Sequence, residues 1–578
     1  MRQTVAALLL ATAMGPLWAA SCGDAHTPVS DVQGRGGESP MAGRQVTVEG
    51  ILTVDARQPG GFRGFYLQQA LAEQDRDPVT SEGLFVHTRA REGEPGDRVR
   101  VRGEVREYYG LTSLTNVRRV TTCTSPGLPA PTVLQPGPLP EGGHEALEGM
   151  LVQTAGPLAI TDTWNLSRYG ELVLATSLQW TPTQRLEPGA EAQALLARQE
   201  QQRLILDDGL RKQHPRPIPY LSDDESPGNP LRVGDRVAPI TGVMDYRFGN
   251  WRLQPLTRPD IHHTNPRQMP PTRHREANLR IVSLNLGNLF NGDGQGQAFP
   301  TARGARTHAA YQQQLARLSS QIRATNPDIL TVSELENDGY DGISALAELA
   351  RAIGDHWRYV EGGTDRDDDV IRNALLYRSD RVQPTGPATL IEDGAFRQWH
   401  RPALAQTFRR VDGEAALTVI AVHLKSKSCR DAPPAQQDRR DGQACFAKAR
   451  ELAARALGRW PLSDGRGEDH RVLLAGDFNA YARETPLQVL GDTGYTDLIA
   501  HFHGLEQGTF RYHGRLGTLD YHLANPALME RVKASHIWSV NAEEPRLSDD
   551  SATTDTDVPE ASPWRASDHN PVITDLRL

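Results

Sequence analysis

Several apolar runs in the second half of the chain lead directly into polar residues suited to metal or phosphate chemistry. These residues are Asn285, Glu334, His423, Asp477, Asn479 and Asp520, and the pair Asp568-His569 stands in the last thirteen residues. A single polar residue after a strand is usually a turn residue, but this many residues of these types indicate a shared site. Carboxylates and amides suit a hard divalent cation such as Mg²⁺, Mn²⁺ or Ca²⁺, and imidazoles titrate near neutral pH.

The elements around these residues alternate between strands and helices over residues 278–578. The strand candidates are LRIVSLNL, DILTVSE, RNALLYR, LTVIAVHL and RVLLAGDF, and the helix candidates are AAYQQQLARLSSQIRAT, GISALAELARAIG and AKARELAARALGRW. The first helix should stop before Asn326-Pro327, because a residue that precedes proline avoids the helical region. The sequence therefore predicts one large α/β domain whose strand ends share an edge, where ligands commonly collect.

Residues 21–125 and 145–262 are expected to form two small all-β, OB-like domains, separated by a Pro/Gly-rich linker over 126–144 and followed by a second linker over 263–277. Alternating runs such as VTVEGILTV and DRVRVRGEV are typical of strands. GDRVRVRGEVREYYGLTSL, from Gly96, resembles GDRVAPITGVMDYRFGNWRL, from Gly234, which indicates a weak internal repeat. The aromatic residues of these segments either bind single-stranded nucleic acid or pack the barrels; they are Tyr108, Tyr109, Tyr246, Phe248 and Trp251.

Residues 1–20 predict a secretory signal peptide, because Arg2 is followed by the apolar run VAALLLATAMGPLWAA. Lipidation of Cys22 is the alternative. No later stretch approaches ~18 consecutive apolar residues, so we expect no stable membrane association. The protein is expected to be extracellular, with the periplasm as the alternative location.

Cysteines and charge restrict the class of protein further. Four cysteines in an exported chain predict two disulfides, Cys429 with Cys445 across a polar loop and Cys22 with Cys123 at the end of the first domain. The net charge of −9 argues against a broadly basic nucleic-acid coat. The sequence also lacks a Cys/His zinc spacing, a Walker loop, a Rossmann fingerprint and a Gly-x-Ser-x-Gly elbow.

Six motifs carry a resemblance to a known family. LNLGNLF, SELEND, VHLKSK, GDFNA, TLDYHLA and SDHNPV occur in the order found in the endonuclease/exonuclease/phosphatase superfamily, which has the DNase I-like fold. ENDGY, RPALAQTF, DGQAC, NAYARETP and VNAEEP further resemble secreted bacterial extracellular nucleases of the ExeM/NucH type. The resemblance covers residues 278–578 and implies an α/β sandwich in this region.

The resemblance also implies roles for particular residues. The implied metal ligands are Asn285, Glu334 and Asp568, which would hold Mg²⁺ or Mn²⁺. The implied catalytic residues are His423, Asp477, Asn479, Asp520 and His569; among them, Asp477 would orient or deprotonate the attacking water, Asn479 would hold a phosphate oxygen, and Asp520 would orient His569. The implied contacts to substrate phosphate are Arg401, Lys425 and Arg450, with Lys427 as a further candidate. The acidic segment 548–560 is either a structural Ca²⁺ loop or a surface loop.

The leading hypothesis is a secreted, monomeric, metal-dependent nuclease that cuts extracellular DNA, with RNA as an additional substrate. The alternatives are a phospholipid phosphodiesterase or phosphomonoesterase using the same site, and an inactive nucleic-acid-binding surface protein. Some positions depart from the family pattern, including Phe446-Ala447 and Tyr521. The carboxylate that often pairs with the His423 position is replaced by an apolar residue near Ile371, and the acidic run 364–369 is a candidate substitute.

Overall fold

A computed structural model of the chain describes residues 21–135, 141–220, 230–363, 369–392, 394–463, 470–546 and 562–578. The predicted signal peptide, the acidic segment 548–560 and most of the acidic run 364–369 lie outside these ranges. The chain divides into two compact units, the first made of Met1–Val133, Leu139–Gln153 and Thr241–Leu256, and the second of Leu134–Pro138, Thr154–Ile240 and Thr257–Leu578. The predicted second β domain, 145–262, contributes residues to both units.

The first half of the chain is dominated by short strands. The strands are β1 (Gln45–Asp55), β2 (Gly64–Gln68), β3 (Gly83–His87), β4 (Arg98–Tyr108), β5 (Leu111–Thr124), β6 (Thr132–Leu134), β7 (Leu151–Thr154), β8 (Leu158–Asp162), β9 (Leu172–Ala175), β10 (Gln179–Trp180), β11 (Leu204–Leu206), β12 (Arg236–Val237), β13 (Thr241–Arg247), β14 (Asn250–Pro255) and β15 (Ile261–His262). The helices are α1 (Val29–Gln33), α2 (Leu166–Tyr169), α3 (Pro182–Arg185) and α4 (Ala190–Gln201).

The first unit contains a closed five-stranded barrel of order β1-β2-β3-β5-β4, in which β3 runs parallel to β5. Alternate residues of β4, Val99, Val101 and Val105, point into its core, as the period of two along a strand requires. The predicted disulfide between Cys22 and Cys123 is confirmed, with 5.6 Å between the two Cα atoms.

The aromatic residues singled out in the sequence divide into two groups. Tyr108, Tyr109 and Phe248 lie at the tips of the β4–β5 and β13–β14 hairpins and are 62%, 83% and 73% exposed. Tyr246 and Trp251 are half-buried against each other, with 4.9 Å between their ring centroids. The hairpin tips therefore present free aromatic surface, whereas the second group packs.

Residues 154–240 belong to the second unit and mix strands with helices. Strands β8, β9, β11, β12 and β15 pair in the order β15-β12-β8-β9-β11. The prediction of an all-β segment is wrong over Ala190–Gln201, which forms the helix α4. The sequence of α4, AEAQALLARQEQ, consists largely of strong helix formers, and their propensity outweighs the strand pattern around them.

The second half of the chain alternates strands and helices, as predicted. The strands are β16 (Leu279–Leu289), β17 (Ile329–Glu336), β18 (Trp357–Tyr359), β19 (Ile371–Arg378), β20 (Val382–Ile391), β21 (Ala403–Arg410), β22 (Ala416–His423), β23 (Val472–Asp477), β24 (Thr496–Asp497), β25 (Phe510–Tyr512), β26 (Arg515–Gly517), β27 (Asp520–Ala524), β28 (Val532–Ile537) and β29 (Val572–Leu576). The helices are α5 (His308–Thr325), α6 (Ala345–Ile353), α7 (Phe396–Trp399), α8 (Ala447–Ser463), α9 (Thr485–Asp492), α10 (Leu498–His503) and α11 (Pro526–Met529).

These elements form a sandwich of two six-stranded sheets, of order β18-β19-β17-β16-β29-β28 and β20-β21-β22-β23-β27-β24. One apolar core joins the two sheets and includes Ile281 from the first and Val419 from the second. Helices α5 and α6 pack on the outer face of the first sheet, and α8 and α9 pack on that of the second. The predicted α/β sandwich is therefore confirmed, with each sheet buried on both faces.

Two local predictions are also confirmed. Helix α5 ends at Thr325, where Asn326 adopts φ +48° before Pro327. Cys429 and Cys445 form the second disulfide, with 5.1 Å between their Cα atoms. No helix in the described part of the chain is long and apolar enough to cross a membrane.

Candidate active site

The polar residues of the two six-stranded sheets lie at matching positions along neighbouring strands. His423 is the last residue of β22 and stands opposite Asp477, the last residue of β23. Asp477 in turn stands opposite Asp520, the first residue of β27. Glu334 lies near the end of β17, which runs parallel to β16 beside Asn285. The strand register thus collects these side chains at one edge of the sandwich.

A cavity of about 360 Å³ lies at this edge. Eight of the residues singled out in the sequence line it: Glu334, Arg401, His423, Lys425, Asp477, Asn479, Asp568 and His569. Four further residues complete the lining, namely Arg303, Ser426, Phe510 and Leu519. The structure therefore brings most of the predicted site residues into one space.

His569 is held by two contacts to its ring. Its Nδ1 lies 2.7 Å from Asp520 Oδ2, and both residues are buried. The ring of Phe510 packs on the imidazole, with 4.6 Å between the centroids. Burial by itself lowers the pKa of His569, but the charge and hydrogen bond of Asp520 outweigh burial and raise the pKa well above its usual value. Asp520 thus favours the protonated form of the imidazole.

Asp477 is the centre of a second group of contacts. Its Oδ1 accepts a hydrogen bond from Asn479 N at 2.8 Å, and its Oδ2 lies 3.2 Å from Asn479 Nδ2, 3.3 Å from Asn285 Nδ2 and 3.5 Å from His423 Nε2. Burial, and then the nearby charge of Asp520, raise the pKa of Asp477. The carboxyl group is thus a buried proton acceptor inside a frame of amide donors.

His423 is a buried imidazole whose Nε2 faces the carboxylate of Asp477. Within the described ranges its Nδ1 has no hydrogen-bond partner, and burial lowers its pKa well below the usual value. Asp369, at the end of the acidic run, pairs instead with Arg401, with 3.1 Å between Oδ2 and Nε. The acidic run thus supplies a partner for Arg401 at this position.

Glu334 and Asp568 form the acidic side of the cavity. Burial raises the pKa of Glu334, and the charge of Asp568 raises it further. Glu334 Oε2 accepts a hydrogen bond of 2.6 Å from Asn288 Nδ2, which holds the carboxylate in place. Two neighbouring carboxylates, together with amide oxygens, fit the donor set of a hard divalent cation.

Asp477, Asp520 and His569 form a second group of possible metal ligands. Ligand atoms of Asp477, Asp520 and His569 all lie within 4.8 Å of one another and could hold a metal ion. Because His569 Nδ1 and Asp520 already contact each other, a cation there would compete with their hydrogen bond. A metal ion at Glu334, Asp568 and Asn285 would leave that hydrogen bond intact.

Two of the three predicted phosphate contacts line the cavity. Arg401 and Lys425 both face it, and burial lowers the pKa of each. Arg450 does not reach the cavity: it is fully buried, and its guanidinium donates to the backbone carbonyls of Lys425, Ser426, Gln443 and Cys445. Arg450 thus shapes the loop that carries Lys425 without facing the cavity itself.

Lys427 is also turned away. Its Nζ lies 2.6 Å from both carboxylate oxygens of Glu484, which is fully buried. Four cavity residues were missed by reasoning from the sequence: Ser426 and Leu519, which adjoin predicted residues, and Arg303 and Phe510, which do not. Arg303 lies in the loop before α5, where a lone arginine carries no motif, and Phe510 begins a strand of three residues, too short for a periodic signal.

Two of the site residues have left-handed backbone conformations. Glu334 has φ +56° and Asn479 has φ +49°, which is uncommon for residues other than glycine. Such conformations cost about 1–3 kcal/mol each and persist where the surrounding structure holds them. At Asn479 the holding contacts are its own bonds to Asp477 and to Leu424 O, the latter at 3.1 Å.

Two family models match the chain. Residues 282–569 match the "Endonuclease/Exonuclease/phosphatase family", and residues 143–265 match a "Domain of unknown function (DUF8508)". The first match supports membership of the C-terminal region in the endonuclease/exonuclease/phosphatase superfamily, whose fold is DNase I-like. No curated protein matches the chain.

Several solved structures are similar over about half of the chain. A mannosyl-6-phosphatase of Bacteroides thetaiotaomicron is 17% identical, with a TM-score of 0.34, over 52% of this chain and 99% of its own. The catalytic domain of human Nocturnin with bound sulfate is 16% identical, with a TM-score of 0.33, over 53% and 96%. TDP2 of D. rerio in complex with a single-strand DNA product is 16% identical, with a TM-score of 0.33, over 52% and 98%.

Proposed function

We propose that the protein is a secreted, divalent-metal-dependent nuclease that hydrolyses phosphodiester bonds of extracellular DNA, with RNA as an additional substrate. The observation that carries the proposal is the cavity itself. It brings together a carboxylate pair suited to a metal ion, a buried proton acceptor, an imidazole hydrogen-bonded to an aspartate, and the positively charged side chains of Arg401 and Lys425. Each is a component that hydrolysis of a phosphodiester requires.

Each residue has a role that follows from its chemistry. Arg401 and Lys425 bind the phosphate and neutralise its charge, and Asn479 holds the carboxylate of Asp477 through its backbone N–H and its side-chain amide. Asp477 accepts a proton from the attacking water, which its raised pKa favours. His569, whose protonated form Asp520 favours, faces the phosphate and stabilises the charge that develops on it. Mg²⁺ or Mn²⁺ held by Glu334, Asp568 and Asn285 would supply Lewis-acid stabilisation of that charge.

The preference for DNA rests on the sequence segments DGQAC and VNAEEP, which resemble extracellular nucleases. We further propose that the protein is a monomer, that residues 1–20 are removed on export, and that the barrel at residues 21–125 is OB-like. The strand order β1-β2-β3-β5-β4 supports the last point. The two disulfides support export, because such bonds persist in oxidising compartments.

The test is to incubate the full-length protein with plasmid DNA, RNA, sphingomyelin and p-nitrophenyl phosphate, in Mg²⁺, Mn²⁺ or EDTA. We expect metal-dependent loss of DNA that disappears in His569→Ala. The matched control is His263→Ala, since His263 Nδ1 also lies near a buried carboxylate, 3.2 Å from Asp235 Oδ2. Intact DNA with hydrolysed lipid or monoester would refute the nuclease, and DNA binding without any cleavage would indicate a binding protein.

A further inference from the structure

The region matched to the domain of unknown function extends into the catalytic sandwich. Strand β10 pairs in parallel with β26, Gln179 opposite Arg515 and Trp180 opposite Leu516, so that β10-β26-β25 form one small sheet. Thr181 N continues the pairing by donating to Leu516 O at 2.8 Å. A strand of the catalytic region thus pairs with a segment that lies more than three hundred positions earlier in the chain.

Gln184 makes the most direct link between this segment and the catalytic residues. Its Oε1 accepts a hydrogen bond of 3.0 Å from Thr518 N, two positions before Asp520. Its Nε2 donates to Leu505 O at 2.8 Å and to Thr518 Oγ1 at 3.3 Å. Gln184 is 1% exposed, so these bonds form without competition from water. One side chain therefore fixes both ends of the segment from Leu505 to Thr518.

The segment that Gln184 fixes contains Phe510 and leads directly into two further residues of the site, Leu519 and Asp520. Thr518 is followed by Leu519, which lines the cavity, and by Asp520, which holds His569. The backbone N–H groups of Leu519 and Asp520 both donate to Thr509 Oγ1, at 2.9 and 3.1 Å. Thr509 precedes Phe510, whose ring packs on His569. A shift of Thr518 would therefore move the support of the catalytic imidazole on two sides.

Neighbouring residues of the same segment hold a second loop. Thr183 Oγ1 donates to Glu484 Oε1 at 2.8 Å, and Arg483 N donates to Thr183 O at 3.0 Å. Gln184 Oε1 also accepts from Ala482 N at 3.5 Å. These residues follow Asn479, so the segment 181–184 holds the loops on both sides of the cavity that carry Asn479 and Asp520.

We propose that the segment 179–184 is a built-in support of the catalytic site and that Gln184 is a positioning residue for Asp520. The proposal rests on the proposed hydrolytic function. The contacts are polar and directed, and an apolar residue at position 184 would leave Thr518 N buried without a partner. The role of this part of the domain of unknown function is then to hold Asp520 and Phe510 against His569.

The test compares Gln184→Met with Gln406→Met in the full-length protein. Gln406 is a matched control, since it is a buried glutamine of the catalytic region whose Nε2 donates to backbone carbonyls, those of Thr385, Gly386 and Thr407, outside segments 179–184 and 505–521. We expect Gln184→Met to lower kcat about 30-fold, with KM changed less than about 2-fold, because misplaced catalytic groups reduce turnover. Gln406→Met should keep kcat within about 3-fold at a comparable loss of Tm.

Hydrogen exchange supplies a readout that does not depend on activity. In Gln184→Met, and not in Gln406→Met, amide exchange should accelerate selectively over residues 505–521. A loss of kcat no greater than that of the control, or unchanged exchange over 505–521, would overturn the proposal. If wild-type protein cleaves neither DNA nor bis(p-nitrophenyl) phosphate, the proposed function fails, and the exchange data still decide whether Gln184 holds the turn.

Discussion

The contact between His569 Nδ1 and Asp520 Oδ2, 2.7 Å long, offers the sharpest test of the catalytic site. Replacing Asp520 by Asn keeps the size of the side chain and removes its charge. The amide can place its nitrogen against Nδ1, which reverses the tautomer of the ring, and it no longer raises the pKa of the imidazole. We therefore expect Asp520→Asn to fold and to lose activity.

The magnitude follows from the burial and charge of this pair. A hydrogen bond to a charged group contributes about 1.5–3 kcal/mol, which corresponds to about 10- to 150-fold in rate. The reversed tautomer adds to this loss, so kcat/KM should fall at least about 100-fold. Tm should also fall, because the substitution removes a charged hydrogen bond between two buried side chains, and the relief of repulsion on Asp477 offsets only part of that loss.

The assay is metal-dependent hydrolysis of bis(p-nitrophenyl) phosphate, with Tm measured on the same samples. The matched control is Asp235→Asn, because Asp235 is also buried and also contacts a histidine, His263, at 3.2 Å. Asp235→Asn should lower Tm and leave kcat/KM within about 3-fold of the wild-type value. A folded Asp520→Asn variant that keeps more than about a third of the wild-type kcat/KM would refute the assigned role.

Further predictions concern stability and binding. Serines at Cys429 and Cys445 should lower the unfolding free energy by about 3 kcal/mol in urea titrations, given the sequence separation of 16. Burial raises the pKa of Glu82 from 4.5 to about 7, so stability should fall by roughly 2 kcal/mol as pH rises from 4.5 to 7, and Glu82→Gln should remove this slope in urea midpoints. Tyr109→Ala with Phe248→Ala should weaken binding of a single-stranded oligonucleotide at least about 5-fold by fluorescence anisotropy, while unchanged affinity would show that these rings bind no bases.

The residues that the sequence placed best are those at the ends of long apolar strands. His423 and Asp477 end such strands, and the parallel register of β22 and β23 brings them opposite each other. A run of buried apolar residues defines where a strand ends, and sheet pairing then aligns neighbouring ends. Phe510 and Arg303 had no such signal, because neither is attached to a strand long enough to show a period.

The burial of Arg450, by contrast, does have a signal in the sequence. Arg450 follows buried Phe446 by four positions, and Ala453, Ala454 and Leu457 continue the same face of α8 in steps of three and four. That spacing places Arg450 on the side of the helix that faces the core. Its Nη1 and Nη2 groups then donate to backbone carbonyls that include those of Lys425 and Cys445, which explains how a buried arginine is tolerated there.

The role of residues 179–184 could not be predicted from the sequence for a different reason. Gln184 and Thr518 are 334 positions apart, and a hydrogen bond between such residues leaves no periodicity in either segment. Strand β10 has only two residues and exists because β26 supplies its partner. The geometry of Asp520 therefore depends on residues outside the matched family region of 282–569, and replacing that region alone with a relative's sequence would remove part of the support of the site.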